Sequence, residues 1–170
     1  RPAFDRRARV RRETLAPSVS RMVWGDELPY QNAFFMFRET EIAHGEYDVP
    51  KCSDGVDGCS FVNGTWIHTI TGTFQGSGKL VAAHFHCHAP TCLSVQLYRN
   101  DTGELICRED PIYGKSDPGF ILQPPCLWGD AAYGLELPPD VNGVALHAVK
   151  TANATYGHHG EMAWLQMLYV

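Results

Sequence analysis

The sequence predicts an all-β protein: an antiparallel two-sheet β-sandwich, jelly-roll-like, of about nine strands, with an extended N-terminal arm. Three observations carry this. Short β-branched and aromatic runs recur along the chain. Gly and Pro turn signals separate them, and no stretch combines helical periodicity with helix caps. The 170 residues are 44% hydrophobic, enough for one well-filled core. The organisation read from this is a basic arm over residues 1–24, offering an inter-subunit strand, and a sandwich domain over 25–170.

The elements follow in order. Residues 33–42 begin as a buried apolar run and end in alternation. Residues 43–60 read as a loop. Residues 61–74 are aromatic and β-branched and read as strand. Residues 79–88 alternate, ending in His84-Phe-His86-Cys-His88. Residues 93–99 and 104–108 flank Asn100-Asp-Thr-Gly103, a hairpin signal. Residues 119–123, 132–137, 143–151 and 162–170 supply the remaining strands, punctuated by prolines 124, 125, 138 and 139.

The cysteines are Cys52, Cys59, Cys87, Cys92, Cys107 and Cys126. Their even number suits three disulfides. The Gly- and Asp-rich span between Cys52 and Cys59 is short enough to close as one bridge; the pairing of the other four is open. A zinc-thiolate site would want C-x-x-C spacing, and none occurs. Three of five asparagines, Asn63, Asn100 and Asn153, head N-glycosylation sequons. Disulfides and N-linked glycans together indicate a secreted, extracellular glycoprotein. The chain opens on Arg1 with no apolar leader, as expected of a processed product or a fragment. No uncharged apolar run approaches the ~20 residues of a membrane-spanning helix.

Charge is unevenly distributed. Residues 1–12 hold six arginines against Asp5, a local +5 that leaves −10 for the rest of a chain whose net charge is −5. An acidic body disfavours nucleic acid as partner. A basic arm complements the acidic body of another copy, and a head-to-tail contact that does not close on itself builds a filament.

Side chains of a strand alternate between faces, so His84, His86 and His88 share one side. Imidazoles at i and i+2 can converge on one ion, copper or, less favoured, zinc. Near the C-terminus, Tyr156-Gly-His158-His159-Gly-Glu161-Met162 places a thioether, a soft copper ligand, at the start of the last strand.

Over about residues 80–170 this order resembles the C-terminal domain of the copper type II, ascorbate-dependent monooxygenases, the peptidylglycine α-hydroxylating and dopamine β-monooxygenase family. The resemblance rests on His84-Phe-His86, on residues 105–108 leading to Pro111, and on Gly160-Glu161-Met162 with the strand after it. It implies a copper held by His84, His86 and Met162, with a register of His86 and His88 as the alternative. The family's second, electron-delivering copper uses an adjacent histidine pair in a preceding domain. His44 and His68 are isolated here and do not reproduce it. No acyl-transfer, phosphate-cradling or dinucleotide motif occurs. Three readings remain open: a self-assembling extracellular filament subunit with a metal site, a copper monooxygenase domain lacking its partner domain, and an extracellular metal-binding module.

Overall fold

The computed structural model describes residues 11–15, 19–23, 31–36, 46–117 and 119–170. The strands among them are β1 (Arg11–Leu15), β2 (Val19–Val23), β3 (Gln31–Met36), β4 (Glu46–Val49), β5 (Cys59–Val62), β6 (Thr65–Gln75), β7 (Leu80–His86) and β8 (Cys92–Arg99). They continue with β9 (Leu105–Glu109), β10 (Ile112–Tyr113), β11 (Ile121–Leu122), β12 (Cys126–Leu127), β13 (Ala145–Asn153), β14 (His158–Met162) and β15 (Trp164–Tyr169). One 3₁₀ turn, Ala131–Tyr133, is capped by Asp130.

The architecture is the expected antiparallel β-sandwich. A six-stranded sheet runs β1-β2-β3-β15-β7-β12 and a five-stranded sheet runs β5-β6-β13-β8-β9. Two small ladders, β14-β4 and β10-β11, complete it. The sheets are joined through side chains. Phe35 of β3 stacks on Phe74 of β6 with ring centroids 4.4 Å apart. The Cys107–Cys126 disulfide ties β9 to β12. Alternation buries Leu80, Ala83 and Phe85 of β7 against Leu165, Met167 and Tyr169 of β15 and Leu146 and Ala148 of β13.

Several elements differ from the sequence reading. The strands outnumber the nine expected, because the long segments are supplemented by two-residue pairings and by β4, inside the stretch read as a loop. Residues 132–137 are not a strand. Asp130 caps a 3₁₀ turn there through a bond to the Ala132 N–H, and Gly134 ends it at φ 76°. Much of the N-terminal arm pairs within the chain: β1 and β2 form a hairpin, and β2 continues onto β3, Val19 opposite Phe35 and Val23 opposite Gln31. The arm's residues 1–10, 16–18 and 24, and residues 37–42 of the first predicted strand, lie outside the described residues.

All six cysteines are bridged: Cys52–Cys59 as expected, Cys87–Cys92 and Cys107–Cys126. No described helix is long and apolar enough to cross a membrane.

Candidate metal centre

β7 and β15 form the platform. Trp164 stands opposite His86 and Gln166 opposite His84 in an antiparallel register. Because Phe85 and Leu165 point into the core, His84, His86, Trp164 and Gln166 lie together on the outer face, all half-buried. The His86 ring lies 5.1 Å from Trp164, whose ring in turn meets Phe34 of β3 at 5.8 Å. An aromatic bed thus supports the imidazole. Residues 84–86 are extended as expected, but β7 ends at His86 rather than at residue 88, so His88 leaves the strand face that alternation assigned to it.

His88 emerges just beyond, in a loop that the Cys87–Cys92 disulfide closes and that a Gln123 Nε2–H bond to the Cys87 carbonyl holds. Its ring sits edge-on to His86, centroids 5.3 Å apart. His88 Nδ1–H donates to the Gly160 carbonyl at 2.8 Å. That bond fixes the tautomer and leaves the Nε2 lone pair for a ligand. Burial, reinforced by the neighbouring His88, holds His86 below the ordinary imidazole pKa, so it stays neutral and metal-competent to lower pH.

His84 is differently placed. Its Nδ1 lies 3.7 Å from Glu109 Oε1, and Glu109 reaches across from β9 to accept the Phe85 N–H at 3.2 Å. Burial pushes Glu109 up to about 8 and pulls His84 down. At neutral pH both are therefore neutral, and their contact is not an ion pair. Glu109 Oε2 and His84 Nδ1 are buried with no hydrogen-bond partner. Desolvated orphans of this kind are expensive.

Beneath the histidines lies a group that sequence reasoning passed over. Glu161 and Lys150 are both fully buried, with Nζ–Oε1 at 2.8 Å. Lys150 Nζ also donates to the Tyr47 hydroxyl at 2.9 Å and sits 4.7 Å over the Tyr47 ring. Burial pulls Lys150 down to about 8, against the opposing pull of Glu161. Glu161 Oε1 accepts the backbone N–H of both His88, at 2.7 Å, and Met162, at 3.2 Å. Oε2 accepts the Thr91 hydroxyl at 2.7 Å and approaches His158 Nε2 at 3.3 Å. One carboxylate oxygen therefore clamps together the backbones that present His88 and Met162. The signal was in the sequence: strand alternation puts Lys150 on the face of Leu146, Ala148 and Ala152, where a lysine needs a buried anion.

Met162 is half-buried at the end of β14, with Glu46 opposite. His159 is exposed and pairs with Asp48 at 2.8 Å, on the rim and away from the clamp. Among the described residues no three His, Cys, Asp or Glu side chains converge as a metal cage. Imidazole nitrogen and thioether sulfur are donor types that suit copper, above all Cu(I).

The three sequons sit differently. Asn63 and Asn100 are exposed in hairpin turns, whereas Asn153 is half-buried at the end of β13 with Oδ1 accepting the Thr155 N–H. Comparison with protein-family models, with curated proteins and with solved structures gives no match.

Proposed function

We propose that this chain is an extracellular, N-glycosylated copper-binding module, with His86 and His88 as imidazole ligands and Met162 as the thioether ligand. The supporting observation is the Glu161 clamp, one buried oxygen receiving the N–H groups of His88 and Met162 beside the edge-on His86–His88 pair. The resemblance to the copper domain of the ascorbate-dependent monooxygenases supports the same donor types; the register it implies is His84 with His86, and the shift to His86 with His88 rests on the edge-on ring contact and the clamp. His84 serves the sheet edge beside Glu109 and stands outside the ligand set. Bound there, copper would supply a soft, redox-active cation at the surface of a disulfide-stapled β-sandwich. The three bridges fit an oxidising, extracellular setting.

The test is competitive Cu(I) titration against a chromogenic chelator. One equivalent binds the wild type; His86→Ala, His88→Ala and Met162→Ile each weaken binding at least tenfold, while His84→Ala leaves it within about twofold. Equal loss in His84→Ala, or none in Met162→Ile, would refute the ligand set.

One observation favours assembly as a second property. β1 is the terminal strand of the six-stranded sheet, so half its backbone N–H and C=O groups face outward. In this reading copies of the chain add edge to edge, head to tail, and the arginines of residues 1–12 meet the acidic body of the next copy. A strict monomer in sedimentation velocity across the micromolar range would exclude it.

A further inference from the structure

The β5–β6 hairpin closes through Asn63 and Gly64, both at positive φ, 49° and 83°. This is the turn geometry that matches strand twist. It lifts the Asn63 amide to the exposed tip, inside a sequon completed by Thr65. The nearest cross-strand pairs are Val62 with Thr65 and Phe61 with Trp66. Phe61 is 61% exposed, and its ring meets Trp66 at 5.2 Å. One flank of Phe61 is thus supported by a half-buried indole, while the rest faces water two residues from the sequon asparagine.

We propose that Asn63 carries an N-linked glycan whose first N-acetylglucosamine packs its apolar C–H face on the Phe61 ring. This deepens, and rests on, the extracellular reading above. In the modification, the Asn63 Nδ2–C1 bond forms as the anomeric carbon leaves the phosphate of a lipid-pyrophosphate oligosaccharide donor. The displaced amide proton passes to solvent. The contact has two sources. A pyranose presents weakly positive C–H groups on one face, and an aromatic ring presents a negative π-face. Covering Phe61 also removes apolar area from water.

The other two sequons lack the platform. Tyr98 repeats the spacing before Asn100, but it is half-buried and its hydroxyl is bonded to the Gln96 side chain. Asn100 is also flanked by the Arg99–Asp101 ion pair. Asn153 has Thr151 at that spacing.

The experiment secretes the full chain from cultured eukaryotic cells behind a heterologous leader, maps glycopeptides, and measures Tm for Phe61→Ala, Asn63→Gln and the double variant. The exposed position of Phe61 makes all three compatible with folding. The expected result is Asn63 occupied, with Phe61→Ala lowering Tm by about 2–4 °C more in the glycosylated chain than in the Asn63→Gln background. The same excess should persist in an Asn100→Gln background. An equal effect of Phe61→Ala in both Asn63 backgrounds overturns the stacking. So does an unmodified Asn63 in a chain glycosylated at Asn100 or Asn153. No glycan on any of the three asparagines would overturn the inference together with the extracellular reading beneath it.

Discussion

Replacing Glu161 with Gln keeps the side chain's size and shape but removes its charge. Glu161 and Lys150 are both fully buried, so the wild-type pair has no water to fall back on. In the variant, Lys150 keeps the Tyr47 hydroxyl and ring and gains a neutral amide oxygen in place of the carboxylate. Breaking one half of a buried pair destabilises by about 3–5 kcal/mol, because the remaining charge is left uncompensated. The weakened bonds to the His88 N–H, the Thr91 hydroxyl and the Met162 N–H belong to the same loss. With a urea m-value of about 2 kcal/mol/M, the midpoint should fall by about 2 M.

The sign of the pH dependence is fixed. Burial already lowers the folded-state pKa of Lys150 to about 8, and losing Glu161 lowers it further. Below that value the variant must bury a cation, so its deficit is greatest at acidic and neutral pH. The deficit shrinks as pH rises and Lys150 sheds its proton. Adding Lys150→Met removes the orphaned cation and should restore part of the stability. Urea melts at pH 6 and pH 9, followed by circular dichroism without reductant, read all of this. A cost below about 1 kcal/mol at pH 6 would mean that the pair is solvated and that the clamp does not organise the site.

Other expectations follow from the same geometry. Burial raises Glu109 in the folded state from its ordinary value to about 8, so the folded chain binds more protons than the unfolded one between about pH 4.5 and 8. Wild-type stability should therefore fall relative to Glu109→Gln as pH rises through that window, and parallel stability curves would contradict the burial argument. Converting Cys107 and Cys126 to serine opens a loop with 19-residue separation and joins the two sheets less firmly. The expected loss is about 3 kcal/mol, read as a lower urea midpoint, and an unchanged midpoint would contradict it. Deleting residues 1–23 removes β1 and β2 and exposes the edge of β3; the remaining chain should keep its sandwich signature by circular dichroism, and loss of it would show that the hairpin belongs to the fold.

The sequence was most informative where alternation or turn chemistry acts locally. The Asn100–Gly103 hairpin and the Cys52–Cys59 bridge fall where short-range sterics put them. The placement of Phe85 inward and of His84 and His86 outward follows from the two-residue period of β7. The 132–137 segment misled because its alternation of sizes mimics a strand, while Asp130 and Gly134 offer a cap at each end of a 3₁₀ turn. β4 lay hidden because four residues, half of them polar or exposed, carry almost no pattern. The arm reads as an inter-subunit strand because its +5 charge complements an acidic body, whereas β2 finds its partner β3 nearby in the same chain, Val23 opposite Gln31. For the candidate site, residue types were legible and partnerships were not. Nothing local to His84 announces Glu109, 25 residues on, and nothing local to Glu161 announces Lys150 on the opposite sheet. Lys150 itself could have been flagged, since its neighbours two residues away on either side are buried alanines.

The most direct test of the proposed centre is X-ray absorption on the Cu(I)-loaded chain. The proposal predicts one copper with two imidazole nitrogens and one sulfur in its inner shell, the sulfur signal vanishing in Met162→Ile and the nitrogen signal falling by half in His88→Ala. A sulfur signal that survives Met162→Ile, or an inner shell of three imidazoles and no sulfur, would contradict it.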